Sequence, residues 1–378
     1  MRSSGIKATS QPWRVGVLFS RTGHMAIIED TQLRGTLLAI EEINENGGID
    51  GRELVPLIYD PASEDELYAH LARKMLTEDG ITNIFGCYRS SSRKAVLPIV
   101  ERLNGLLWYP TLYEGFEYSP NVIYTGAAPN QNSVELCDYL IENAGKRFYF
   151  VGSDYIYPRQ SNRIMRNLLR RRGGEVVGET YIRLNASHCD FIPVVARIKA
   201  LRPDVIFSTV VGEATVSLYQ VYADMGLDPR QIPIASLTTT ETEIRAMGSD
   251  VGEGHITSAP YFQSLDGPKN RTFVNRFKKQ FGHDEPTNMC AEAAYFQVQM
   301  FAQALSVANS MDVDLLRALA LTQTIEAPQG SVSINPECGQ ANVWSRIGRV
   351  TRLGQFEILR QSVAAVDADP YMTHFSCS

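Results

Sequence analysis

The sequence predicts an α/β protein built from two doubly wound, Rossmann-like lobes that are joined by a hinge. Apolar runs of strand length alternate with amphipathic helical segments between residues 13 and 240. The alternation pauses near residue 126 and then starts afresh. Strands and helices that alternate with short links are typical of parallel, right-handed, doubly wound sheets. Two such units in one chain of 378 residues therefore predict two lobes.

The first unit opens with the strand pattern WRVGVLFS at 13–20. An amphipathic helix follows, with apolar residues three and four apart and a glycine stop near residue 47. Two further strand–helix steps and a final strand follow in the same manner. Their strands are ELVPLIYDPAS, ITNIFGCY and LLWYP, and their helices are EDELYAHLARKMLTEDG and SSRKAVLPIVERLNG.

The second unit repeats the pattern. Its predicted strands are KRFYFVGSD, EVVGETYIRL, PDVIFSTVVG and QIPIASLTTT. Helical segments near 266–281 and 289–308 come too late for this unit, so we expect them to complete the first lobe. The expected first lobe is thus residues 1–126 plus about 263–330, and the second is 127–262 plus about 331–378, with several crossovers. A cleft between two doubly wound lobes is a natural ligand site.

Composition narrows the function. A net charge of -6 argues against direct nucleic-acid binding, which needs a basic surface. No segment approaches the roughly 18–20 apolar residues of a membrane span, and the N-terminus shows no apolar core of a secretory signal. These features predict a cytoplasmic protein. The six cysteines and six histidines are scattered, so neither a metal site, a cofactor nor a disulfide framework is predicted.

Enzyme motifs do not stand out in the sequence. It contains no GxxxxGK[ST], no GxGxxG after the first strand, no GxSxG and no HExxH. None of the histidines lies in a motif that would seat it as a catalytic base. A binding protein is therefore favoured over an enzyme, and amide hydrolysis is kept only as a weaker hypothesis because no activated nucleophile is evident.

Hydroxyl-bearing and aromatic residues follow five of the predicted strands. Because the carboxyl ends of parallel strands meet at one edge of a sheet, these residues should line the cleft. Their hydroxyls can donate to a carbonyl oxygen, and a small dry pocket favours a neutral ligand. The predicted ligand-binding residues are Tyr88, Ser90, Tyr109, Thr111, Tyr155, Tyr157 and Thr238, with Arg89, Thr209 and Thr239 as additional candidates.

Two alternatives accompany this prediction. Ser90 or Ser91 could simply cap the helix that begins there, and the tyrosines could be ordinary strand-end aromatics. Arg89 would attract a carboxylate if it pointed into the pocket, but its place between Tyr88 and Ser90 favours an orientation away from it.

Several stretches resemble the type I periplasmic-binding-protein superfamily over nearly the whole chain. LLAIEEINENGGIDGREL resembles its first helix and turn. The stretch from GCYRSSSRK through YPTLYEGFEYSP to GAAPNQNS, together with VGSDYIYPRQSN, IASLTTTETEI and EAPQG, resembles the amide- and urea-binding branch. Within that branch the chain is most similar to the AmiC-type amide sensors of amidase operons.

The resemblance implies the type I periplasmic-binding-protein fold and a short aliphatic amide or urea-like ligand. It also implies a negative regulator that sequesters an RNA-binding antiterminator as its protein partner, without touching nucleic acid itself. The alternative is the substrate-binding protein of an ABC transporter for urea, short amides or branched-chain amino acids. Homo-oligomer formation is left open.

Overall fold

The computed structural model describes residues 11–375. The expectations for residues 1–10, including the lack of a secretory signal there, and for Cys377 lie outside the described residues. The described chain forms two α/β lobes, each with a mixed, mostly parallel sheet, as the sequence predicted. No helix within residues 11–375 has the length and apolar character needed to cross a bilayer.

The first sheet has eight strands in the order β11-β12-β13-β5-β4-β3-β1-β2. Its parallel strands come from the start of the chain, and its antiparallel edge comes from much later. The strands are β1 (Trp13–Leu18), β2 (Leu54–Tyr59), β3 (Asn83–Gly86), β4 (Leu106–Tyr109), β5 (Val122–Tyr124), β11 (Thr324–Ala327), β12 (Gly330–Asn335) and β13 (Gln340–Asn342).

The second sheet has seven strands in the order β15-β14-β10-β9-β8-β6-β7. Strands β6 to β10 pair in parallel, and the last two strands add an antiparallel edge. The strands are β6 (Arg147–Ser153), β7 (Glu175–Ile182), β8 (Val205–Thr209), β9 (Ile234–Ser236), β10 (Ile256–Ala259), β14 (Arg346–Val350) and β15 (Phe356–Gln361).

Helices cover both faces of each sheet, so the central strands are buried, as parallel strands require. The first lobe carries α1 (Ala26–Glu45), α2 (Asp65–Thr77), α3 (Ser90–Arg102), α10 (Pro268–Phe281), α11 (Met289–Ala308) and α12 (Val313–Ala320). The second lobe carries α4 (Pro129–Asn143), α5 (Ile156–Arg171), α6 (His188–Leu201), α7 (Glu213–Asp224), α8 (Glu241–Met247) and α9 (Ser249–Gly252). A short 3₁₀ helix (Thr373–Phe375) follows β15.

The chain passes between the sheets three times, after β5, after β10 and after β13. Helices α10 and α11 return to pack against α1 of the first lobe. The last passage differs from the expected position near residue 330, because β12 and β13 still lie in the first sheet and the chain leaves it only after Asn342. Strands β12 and β13 follow one another with no helix between them, so they carry no strand–helix alternation that would reveal them. The division of the chain into lobes, with the last boundary moved to this point, stays a proposal.

Candidate functional site

The start of α3 lies at the carboxyl edge of the first sheet, directly after β3. Cys87 adopts a positive φ of 68°, which turns the chain from strand to helix. Arg89 takes the N-cap position in an extended conformation, and no side chain caps the helix. The alternative that Ser90 or Ser91 serves as the cap is therefore wrong, and the first-turn N–H groups of α3 have no side-chain partner.

Ser90 is buried and belongs to a small polar network. Its hydroxyl donates to Oε2 of Glu114, a buried carboxylate in the loop after β4. Arg93 donates to Ser90 Oγ at 3.3 Å and pairs with Glu114 Oε1 at 3.2 Å. Arg93 also pairs with Glu117 at 2.6 Å, and these contacts hold the pKa of Glu117 at about 2. The positive charge of Arg93 is thus neutralised inside the first lobe.

Tyr109 and Thr111 lie in the same region, but their hydroxyls already have partners. Tyr109 Oη donates to the backbone oxygen of Tyr88 at 2.6 Å. Thr111 Oγ1 accepts from Gln32 Nε2 at 2.8 Å. Both residues support the backbone of the β3–α3 junction, and burial raises the pKa of Tyr109 far above its usual value. Their proposed contact with a ligand is untested.

Two tyrosines of the second lobe approach this network. Tyr155 and Tyr157 flank the start of α5, with ring centroids 6.3 Å apart. Both influence the pKa of Tyr88, which burial raises well above its usual value. Tyr157 is buried, and Ser161 lies close enough to its hydroxyl to lower its pKa through a hydrogen bond, while burial raises that pKa. Among the described residues no acceptor is recorded for the Tyr157 proton, so this hydroxyl can donate to a ligand.

The two lobes touch on both sides of this region. Helix α3 of the first lobe contacts α5 of the second. The loop after β1 also reaches Gly212, where a Cβ atom would lie 2.7 Å from the backbone oxygen of His24. Gly212 has a φ of 67°, so both the close approach and the backbone conformation require glycine. The two lobes are therefore in direct contact beside this region.

The predicted threonines of the second lobe lie at its sheet edge, but their hydroxyls bind within that lobe. Thr238 donates to the backbone oxygen of Val210 at 2.7 Å. Thr209 donates to Asn162 at 2.9 Å, and Thr239 shares a hydrogen bond with Tyr219 at 3.0 Å. Tyr155 and Tyr157 thus influence Tyr88 across the lobes, whereas these three threonines form their hydrogen bonds within the second lobe.

Arg89 is buried and turns toward the loop after β2. It donates to the backbone oxygen of Ser63 at 2.6 Å and pairs with Asp65 at 2.8 Å. Its Nε atom has no hydrogen-bond partner. Burial and the nearby Arg89 lower the pKa of His24. The guanidinium of Arg89 is thus engaged within the first lobe, and its orientation away from a ligand stays a prediction.

Sequence reasoning missed Glu114 and two neighbours of Tyr88. Cys290 at the start of α11 and Glu243 in α8 both lie near enough to influence the pKa of Tyr88. Glu114 follows a tyrosine in the stretch YPTLYEGFEYSP, and its position after a strand end was the one signal that could have identified it. Glu114 joins the candidate site because its loop folds back over α3, where its carboxylate pairs with Arg93.

A second set of contacts joins the lobes near the hinge. Asn288 caps α11 and donates through Nδ2 to Thr31 of α1 at 3.1 Å and to Thr242 of α8 at 2.8 Å. Glu285 bridges Arg34 of α1 at 3.0 Å and Arg245 of α8 at 2.7 Å. Each of these residues therefore links an element of the first lobe to an element of the second.

A large cavity lies away from this region. It measures about 790 Å³ and is lined by residues that include Pro233 and Ile256, next to the starts of β9 and β10. Ligands of doubly wound sheets bind beyond the carboxyl ends of the strands, whereas this cavity lies at the amino ends. We therefore place the candidate site between the lobes.

A family model described as "Periplasmic binding protein domain" matches residues 13–376. The chain is 25% identical over 302 residues to the Leu/Ile/Val-binding protein homolog 6 of Brucella melitensis, covering 78% of this chain and 76% of that protein. It is also 25% identical over 334 residues to the leucine-, isoleucine-, valine-, threonine-, and alanine-binding protein of Pseudomonas aeruginosa, with 83% of each covered.

Solved structures share the fold. The solute-binding protein of an ABC transporter from Rhodopseudomonas palustris, in complex with 3,4-dihydroxybenzoic acid, matches with a TM-score of 0.85 at 22% identity. That match covers 94% of this chain and 98% of the other. LivJ from Streptococcus pneumoniae, in complex with isoleucine, matches with a TM-score of 0.81 at 17% identity, covering 93% and 99%.

Proposed function

The chain belongs to the family of the periplasmic binding protein domain, and on that premise we propose that it is the solute-binding protein of an ABC transporter. Its ligand is a short aliphatic amide or a urea-like molecule, held between the closed lobes. Like its relatives, the chain is a binding protein and not an enzyme. The relatives named above support transport rather than gene regulation as the role.

One observation carries the choice of ligand class. The two arginines at the start of α3 are each neutralised by carboxylates, Arg89 by Asp65 and Arg93 by Glu114 and Glu117. A carboxylate ligand would have to compete for these cations and would lose its hydration. A neutral ligand needs only hydrogen bonds, and in this proposal Tyr157 Oη and the first-turn N–H groups of α3 donate them.

The ligand-binding residues of this proposal are those named from the sequence. Burial of Tyr88 and Ser90, and the influence of Tyr155 and Tyr157 on the pKa of Tyr88, support these four residues most strongly. Tyr109, Thr111 and Thr238 have intramolecular partners and would shape the site rather than bind through their hydroxyls.

The regulatory role implied by the resemblance is the second candidate. An amide sensor would use the same closure to change its affinity for an antiterminator. A cytoplasmic location belongs to this candidate and stays a prediction with it. A neighbouring gene for an amidase and an antiterminator would favour the sensor, whereas genes for permeases and an ATPase would favour the receptor.

Isothermal titration calorimetry of the purified chain tests the ligand class. The panel consists of acetamide, propionamide, urea, formamide, leucine and 4-hydroxybenzoate. We expect binding of at least one amide or urea and no binding of 4-hydroxybenzoate. Tight binding of leucine or of 4-hydroxybenzoate would overturn the assignment.

A further inference from the structure

The hydrogen-bond direction at Ser90 restricts what a ligand can offer there. A hydroxyl has one proton and two lone pairs. Ser90 Oγ donates its proton to Glu114 Oε2, because an ionised carboxylate can only accept a hydrogen bond. One lone pair of Ser90 Oγ accepts from Arg93 Nη1 at 3.3 Å. The remaining capacity of Ser90 Oγ is a single lone pair, which can bind only a donor.

Glu114 is fixed firmly enough to impose this direction. It is buried to 2% exposure and held by Arg93 on its other oxygen at 3.2 Å. The guanidinium of Arg93 is itself held by Glu117 at 2.6 Å and lies over the ring of Tyr109. Neither Glu114 nor Arg93 can therefore turn without breaking a buried ion pair, which is costly.

We propose that Glu114 is a specificity-determining residue that makes Ser90 an acceptor, so that the site selects ligands bearing an N–H donor. This inference rests on the proposed function and deepens it, because it names the part of the ligand that is read. An amide or urea offers N–H to Ser90 and its carbonyl oxygen to donors such as Tyr157. A ketone or carboxylate of the same shape offers only acceptors.

An ammonium group does not satisfy the same geometry. The charge of Glu114 is already compensated by Arg93, so no unpaired negative charge remains for a second cation. A neutral N–H donor needs only the free lone pair of Ser90. The selected class is therefore the primary amides and urea rather than amino acids.

The test compares three solutes of nearly equal shape on the unmodified protein by titration calorimetry. Acetamide carries N–H donors, whereas acetone and acetate carry none. We expect acetamide to bind at least about tenfold more tightly than acetone or acetate. Equal affinity for acetamide and acetone would overturn the role of Glu114 while leaving the proposed function in place. Binding of acetate without acetamide, or no binding of acetamide or urea, would overturn both.

A matched pair of variants tests the residue itself. Glu114→Gln keeps the shape of the side chain but removes the carboxylate that accepts from Ser90. Ser90 can then donate its proton elsewhere, so the preference for acetamide over acetone should fall about tenfold. Glu117→Gln also removes a carboxylate from Arg93 but does not contact Ser90, so it should keep the preference. An unchanged preference in folded Glu114→Gln would overturn the inference. If Glu114→Gln does not fold, as checked by circular dichroism, the three-solute comparison alone decides.

Discussion

Arg89 donates through Nη2 to Asp65 Oδ1 at 2.8 Å, so the arginine beside the predicted ligand site is already ion-paired. Asp65 lies at the start of α2, in a different strand–helix step of the first lobe. The guanidinium of Arg89 is therefore directed toward Asp65. This contact supports the proposal of a neutral ligand.

Removing the charge of Asp65, the ion-pair partner of Arg89, should change the ligand preference. Asp65→Asn leaves Arg89 without its carboxylate, so we expect a several-fold gain in affinity for acetate or 4-hydroxybenzoate. Acetamide affinity should change by less than about threefold, since a neutral ligand does not depend on the charge. Titration calorimetry of both solutes checks this. Anion binding by the unmodified protein that disappears in Arg89→Gln would place Arg89 in the pocket instead.

Tyr157 and Tyr109 should respond differently to the loss of a hydroxyl. No acceptor for the Tyr157 proton is recorded among the described residues, so Tyr157→Phe should weaken acetamide binding by about 1–3 kcal/mol with a smaller effect on the free energy of unfolding. Tyr109 Oη donates to the Tyr88 backbone, so Tyr109→Phe should lower the free energy of unfolding by about 1–3 kcal/mol. Calorimetry and urea denaturation of both variants make the comparison. Equal acetamide affinity in Tyr157→Phe and the unmodified protein would exclude that hydroxyl from the site.

Glu285 should favour closure without touching the ligand. Glu285→Gln weakens its bridges to Arg34 and Arg245, and each partly exposed ion pair contributes up to about 1 kcal/mol. The variant should then have a smaller closed population before binding, and this should lower its apparent acetamide affinity about two- to fivefold. The radius of gyration from X-ray scattering should rise in the ligand-free variant. Glu142→Gln is the matched control, because Glu142 pairs with Arg360 within the second lobe; an equal effect there would contradict the role of Glu285.

Glu292 should make stability depend on pH. Burial raises its pKa to about 8 from its usual 4.5, although hydrogen bonds from Gln329 and the charge of Arg346 oppose the shift. A raised folded-state pKa means that the folded protein holds the proton more tightly than the unfolded chain. The stability contribution is then complete below pH 4.5 and is lost as the pH rises toward 8.

Urea denaturation at pH 5, 6.5 and 8 checks this expectation. In the unmodified protein the free energy of unfolding should fall over this range, by about 1.4 kcal/mol for each pH unit between the unfolded-state and folded-state pKa values. The fall should be smaller in Glu292→Gln. That variant keeps Glu241 and Glu243, whose pKa values burial also raises, and these two carboxyls serve as an internal reference. Parallel pH curves for the two proteins would contradict the assignment to Glu292.

Most of the parallel framework could be predicted from the sequence, because each strand–helix step carries its own hydrophobic period. The predicted strand at 13–20 corresponds to Trp13–Leu18, and the predicted helix SSRKAVLPIVERLNG corresponds to Ser90–Arg102. The antiparallel edges could not be predicted. Strands such as Gln340–Asn342 are three residues long, and their pairing depends on sheet edges that form far away in sequence.

The candidate site was predictable in part for a similar reason. Strand ends point to a common edge, and Tyr157 of the second lobe influences the pKa of Tyr88 in the first lobe. That Tyr88, Ser90 and Tyr157 bind the ligand stays a prediction. Sequence alone does not tell which hydroxyls are already used, since Tyr109 and Thr238 find their partners only after folding. The sequence also does not reveal that Glu114, 24 residues further along the chain, accepts a hydrogen bond from Ser90.

A crystal structure of the protein with acetamide or urea bound tests the central claim most directly. The account predicts a closed protein with a ligand nitrogen within hydrogen-bond distance of Ser90 Oγ and the carbonyl oxygen facing Tyr157 Oη or the first-turn N–H groups of α3. Arg89 should keep its contact with Asp65 in that structure. A ligand bound outside the cleft, or one whose oxygen is held by Arg89, would contradict it.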